Sequence, residues 1–83
     1  MQIILISLVA ILLMASDAIA GRTVTDEERT RLVAALTAQG CSGGKMEFDD
    51  GKFEVDDAVC ADGKKYDLDF DTSFLLIRKK IED

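Results

Sequence analysis

Carboxylates are the reactive groups this chain carries in quantity. Between residues 45 and 71 there are ten acids against four lysines. Glu54, Asp56, Asp67, Asp69 and Asp71 alternate with apolar neighbours, a spacing that sets acids on one face of an extended strand and apolar groups on the other. Such a face could meet a basic protein surface or a hard cation such as Ca²⁺, with Asp56, Asp67 and Asp69 as weak candidate metal ligands. The plainer expectation is a solvated, solubilising face, offset by Lys45, Lys65 and Arg78-Lys79-Lys80, because charge runs usually serve solvation. No metal or cofactor is assigned.

Composition removes several other chemistries. The chain has no His and only two Cys, so neither a Cys/His nucleophile nor a Cys/His metal site can be assembled. Ser42-Gly43-Gly44-Lys45 is not a phosphate-binding loop: Gln39 stands where its first Gly belongs, Met46 replaces Ser/Thr, and a helix precedes it. Asp49-Asp50-Gly51 is too short for a calcium loop and is explained by its turn. A net charge of −6 with 6% aromatic residues disfavours nucleic acid, which needs a basic stripe. Carboxylates on an open sheet face give no basis for a pocket in so small a chain, so no catalytic residue is assigned and the expected activity is binding.

The elements that must position these groups begin after an apolar leader. Ile3 to Met14 is uninterruptedly apolar but for Ser7, and Ala18-Ile19-Ala20 closes it with the small-x-small pattern of signal-peptide cleavage. The run is shorter than the roughly 20 residues that span a bilayer, and Asp17 interrupts it. Residues 1–20 are therefore expected to be a signal peptide cleaved after Ala20, touching the membrane only in transit. An uncleaved anchor is the competing expectation, since residues 1–2 lack a basic side chain. Residues 21–83 then form a single periplasmic or secreted domain, with 15 of the 16 acids and all 10 basic residues.

A domain of about 60 residues buries only about 60% of its unfolded surface and gains from a staple. In an exported chain two Cys read as one disulfide, Cys41–Cys60, and closing that loop stabilises by roughly 3 kcal/mol.

Thr25-Asp26-Glu27-Glu28 has the form of a capping box, with acids at the positive end of the helix dipole. Leu32, Val33 and Leu36, with Ala35 beside them, make a narrow apolar stripe, and Gly40 supplies a left-handed stop. The spacing predicts a helix over 26–39. Beyond Gly40 the period changes to two. Met46 and Phe48, then Phe53, Val55 and Val59, then Tyr66, Leu68 and Phe70 alternate with polar residues, and Asp50-Gly51 and Asp62-Gly63 divide the runs as hairpin turns.

Two-residue loops set Phe48 opposite Phe53, Met46 opposite Val55, Val59 opposite Tyr66 and Val55 opposite Phe70, all on one face. Carried further, the first hairpin sets Cys41 opposite Cys60. On the other face the same registers oppose Glu47 to Glu54, Asp56 to Asp69 and Glu54 to Asp71, like-charge pairs that destabilise. Asp57 falls on the apolar face opposite Leu68, where it is wet, turned outward by a bulge or, as the lesser expectation, a buried functional carboxylate. Residues 74–81 could be strand or helix, and a final basic strand is preferred. The expected fold class is α+β: one helix on a three- to four-stranded antiparallel meander.

The sequence from Leu32 to Gly40, then Glu47-Phe48-Asp49-Asp50-Gly51-Lys52-Phe53-Glu54-Val55, then Ala61-Asp62-Gly63-Lys64-Lys65-Tyr66-Asp67-Leu68, resembles the small PepSY-like domains of bacterial exported proteins. The resemblance covers nearly all of residues 21–83. It implies a non-enzymatic α-β-β-β module whose partner is a protein of the cell envelope, in peptidase propeptides a restrained peptidase. The chain departs from that pattern in having no attached peptidase, and in Asp71-Thr72-Ser73-Phe74, where many relatives have a Thr-Gly turn. A cation-responsive or envelope-structural role for the acidic face is the alternative.

Overall fold

The computed structural model describes residues 21–82. The apolar leader, and with it the expected cleavage after Ala20, lies outside the described residues.

The described chain is α+β, one helix on an antiparallel sheet. Its elements are β1 (Arg22–Thr23), α1 (Asp26–Ala38), β2 (Cys41–Ser42), β3 (Lys45–Asp49), β4 (Lys52–Cys60), β5 (Lys65–Phe70) and β6 (Leu76–Ile81). The sheet order is β1-β3-β4-β5-β6, with β2 also paired to β4. The meander matches expectation, including the final strand. The two-residue strands β1 and β2 are too short to leave a periodic signal in sequence.

Helix α1 starts as its capping box requires. The Glu28 amide donates to Thr25 Oγ1 (3.1 Å) and the Thr25 amide to Glu28 Oε1 (2.9 Å). It ends at Gly40, whose φ of 74° only glycine adopts without strain. Leu32 and Leu36 are fully buried and Ala35 packs against the core. Val33, expected in the stripe, is instead half exposed; the helix is covered along one narrow line, and position 33 lies round its shoulder.

Against α1 the sheet presents Met46, Phe53, Val55, Ala58, Leu68 and Phe70, all buried. The first hairpin keeps its expected register, with Phe48 opposite Phe53 and Met46 opposite Val55. Asp50 and Gly51 both have positive φ, 55° and 78°, as a two-residue primed turn demands. The same register resumes beyond Gly43-Gly44, setting Cys41 opposite Cys60. The two are joined as a disulfide.

The second hairpin differs from the expected register twice. Its loop has three residues, because Cys60 and Lys64 still pair (Cys60 amide to Lys64 carbonyl 3.0 Å), and the Gly63 amide donates to the Cys60 carbonyl at 2.8 Å. The Asp62 carboxylate fixes this loop by accepting the Lys64 amide (3.0 Å) and the Tyr66 hydroxyl (2.6 Å). Farther along, β4 bulges: Ala58 faces Tyr66 and Val55 faces Leu68, so Asp56 and Asp57 together oppose Asp67. Phe70 consequently faces Phe53, not Val55, and Val59 faces Lys65, not Tyr66. The combined displacement of two residues returns Val55 and Phe70 to the core face. The single displacement before the bulge turns Val59 outward and Ala58 inward. Asp57, at φ 62°, is the bulged residue and is exposed.

Candidate functional site

The acid-bearing face is less uniformly repulsive than the expected registers made it. Glu47 does oppose Glu54. Asp69, however, lies opposite Glu54 on one side and Arg78 on the other, not opposite Asp56. Its carboxylate is largely buried and pairs with Arg78 Nε at 3.2 Å. Glu54 has Lys52 Nζ at 3.2 Å, and Asp56 lies opposite Lys45. Asp71, expected opposite Glu54, is not its partner: it follows β5 and accepts the Ser73 and Leu75 amides at 2.8 and 3.0 Å. Residues that looked like a free anionic array are therefore partly consumed in holding the sheet and a turn.

Of the candidate ligands Asp56, Asp67 and Asp69, only Asp67 joins a carboxylate cluster among the described residues. Oxygens of Asp57, Asp67 and Glu82 lie within 4.8 Å of one another. The bulge swings Asp57 to Asp67, whose Oδ1 accepts the Asp57 amide at 3.1 Å. Glu82 is brought in by the end of β6, its amide bonded to the Lys65 carbonyl. A hydrogen bond with Asp57, partial desolvation and a further bond with Asp67 push the Glu82 carboxyl up to about 7. Neighbouring acids of like charge favour the neutral form of the Glu82 carboxyl. Asp56 nearby is raised by burial first and then by the charge of Asp67. Glu82 left no signal in the sequence, whereas the misfit of Asp57 with its alternation was the visible sign of the bulge.

On the helix side the sheet end opens into a groove of about 300 Å³. Its floor is aromatic. Phe48 meets Phe53 edge to face and Phe74 stacks on Phe53, each at 4.9 Å between ring centres. Arg22 covers the Phe48 ring at 4.5 Å and Arg31 the Phe74 ring at 5.8 Å, with Glu27, Glu28 and Thr72 completing the walls. Glu28 ties the helix start to β1, since its two oxygens take Arg22 Nη1 and Nη2 at 2.9 and 3.0 Å. These bonds, with the Thr25 amide, lower its carboxyl to about 2. Phe74 reaches the groove from a tight turn in which it has φ 65°. That is a left-handed conformation unusual for a bulky side chain. The sequence reading missed this groove. It left no periodic signal there, since Phe74 reaches it from a turn and not from an alternating strand.

The same chain matches the family model described as peptidase propeptide and YPEB domain over residues 4–80. The chain belongs to that family. PepSY domains of this kind are non-catalytic propeptide or inhibitor-like modules, typically extracellular or periplasmic. No curated protein and no solved structure matches the chain significantly.

Proposed function

We propose that this PepSY domain is an exported, non-enzymatic binding module that engages a protein of the cell envelope and restrains a peptidase. In this reading residues 1–20 are a signal peptide removed after Ala20 and residues 21–83 are the working domain. Family membership over residues 4–80 carries the proposal. The aromatic groove supports it, because an apolar floor rimmed by arginines and glutamates suits a side chain presented by a protein partner. The disulfide suits an oxidising compartment.

The test is capture from an envelope extract on immobilised residues 21–83, followed by a peptidase assay. A recovered peptidase whose activity falls as the domain is added supports restraint; a recovered peptidase of unchanged activity refutes it. Intact mass of the exported protein reports cleavage at Ala20 and loss of two thiol hydrogens together.

The convergence of Asp57, Asp67 and Glu82 favours a second reading, a cation-responsive domain. It ranks lower because Asp69 and Asp71 are already engaged by Arg78 and by turn amides. An unchanged melting temperature in millimolar calcium removes it.

A further inference from the structure

The sheet has an uncovered edge whose chemistry specifies what could extend it. Strand β6 is the last in the sheet order, and among the described residues nothing pairs with its outer side. Every residue from Leu76 to Ile81 is exposed. Unpaired edges attract other chains, and proteins usually blunt them with charge or brevity. Here the edge keeps apolar side chains in water: Leu75 is 64% exposed and Ile77 56%.

The backbone donors that face outward can be named. The Glu82 amide bonds to the Lys65 carbonyl on β5. Direction alternates along an antiparallel strand, so the amides of Lys80 and Arg78 also point to β5 while those of Ile81 and Lys79 point away. The side chains sort in the same way. Arg78 and Lys80, opposite Asp69 and Asp67, lie on the acid-bearing face; Lys79 and Ile81, opposite Leu68 and Tyr66, lie on the helix side. Across the acid-bearing face one row reads Glu47, Glu54, Asp69, Arg78. The row ends in a cation, and Arg78 alone of the three β6 cations has an ion-pair partner among the described residues.

We propose that β6 is a docking edge for an extended protein segment in which acidic and apolar residues alternate. The segment adds a strand beside β6, taking the outward amides of Lys79 and Ile81. Its acids meet Lys80 and the guanidinium nitrogens of Arg78 beyond the Nε that Asp69 takes, and its apolar side chains lie along the side of Ile81 and Leu76. A second copy of β6 is the wrong occupant, because antiparallel self-pairing brings Arg78-Lys79-Lys80 against its like. The proposal rests on the protein-binding function and names the chemistry of the partner.

The test uses residues 21–83 with the disulfide intact and a nine-residue synthetic peptide alternating valine and glutamate, against its valine–lysine counterpart. The glutamate peptide is expected to bind at least tenfold tighter than the lysine peptide and to weaken as salt is raised. Hydrogen exchange should slow at the Lys79 and Ile81 amides, with little change at Arg78 and Lys80, which are already bonded. Ile81→Pro removes an outward donor that the native sheet does not use, so it should fold with an unchanged circular dichroism spectrum and lose binding. Lys80→Ala, at an exposed position, should weaken binding severalfold. Equal binding of both peptides, protection at another edge, or concentration-dependent self-association through β6 overturns the proposal. Peptidase restraint without peptide binding would sink this edge while leaving the broader function standing.

Discussion

Phe74 offers a sharp test because its backbone and its side chain pull in opposite directions. Its φ is 65°, where a residue with a Cβ is disfavoured by roughly 1–2 kcal/mol relative to the right-handed region. Its ring stacks on Phe53, a contact worth about 0.5–1.5 kcal/mol beyond the area it buries. The turn is over-determined by Asp71: its carbonyl accepts the Phe74 amide at 2.9 Å, and its carboxylate takes the Ser73 and Leu75 amides. Phe74→Ala loses the ring and keeps the strain. Phe74→Gly loses the same ring but relieves the strain, offset by the roughly 0.4–1 kcal/mol that a glycine adds to unfolded-chain entropy. The glycine variant should therefore be the more stable of the two by about 0.5–1 kcal/mol, or about 3–6 °C in a domain of this size. Both should fall below the parent. At Ala35, inside α1, the order must reverse, with Ala35→Gly destabilising by about 1 kcal/mol. Thermal and urea unfolding followed by circular dichroism measure all three. Phe74→Ala equal to or more stable than Phe74→Gly would refute the left-handed assignment.

Gly44 should tolerate nothing larger: a Cβ there would lie 2.7 Å from the Asp56 carbonyl and 2.9 Å from Val55 Cγ1, whereas at Gly43 nothing lies within 4 Å. Gly44→Ala is expected to cost several kcal/mol by overpacking and strain, and Gly43→Ala only about 1; equal losses in urea melts would contradict the packing of Gly44 on the bulge. Replacing both Cys41 and Cys60 by Ser should destabilise by roughly 3 kcal/mol, read as a lowered urea midpoint, and a midpoint unchanged within error would deny the staple its role. The Glu82 carboxyl, raised to about 7 in the fold from 4.5, contributes stability that is fully present below pH 4.5 and lost as pH rises through 7. Glu82→Gln should accordingly flatten the fall in melting temperature between those values, and parallel profiles of variant and parent would refute the raised Glu82 carboxyl.

Local chemistry made the helix and the first hairpin legible. A capping box, a glycine stop and an Asp-Gly turn are satisfied within a few residues of chain, so their outcome is dictated where they are written. The disulfide was read from two Cys in an exported chain, and the register that the Asp50-Gly51 turn fixed does extend to Cys41 and Cys60. The second hairpin was misread because Asp62-Gly63 is compatible with loops of two or three residues. The choice was made by the Asp62 bonds to Lys64 and Tyr66.

Tertiary structure alone decided the rest. The bulge at Asp56-Asp57 restored Phe70 to the core after the loop had displaced it and set Asp57 against Asp67, where Glu82 joins them from just beyond β6. Asp69 and Asp71 left the anionic array by other contacts, one pairing with Arg78 across β5 and β6 and the other holding a turn. The sequence by itself determined that this chain is an acidic α+β domain, because periodicity and turn residues act over short distances; its family showed as a resemblance of motifs and in the match over residues 4–80. Which charges face one another, where the aromatic groove opens and which strand is left uncovered depend on register summed over several strands. A one-residue slip there reverses a whole face, so those features existed only once the sheet had closed.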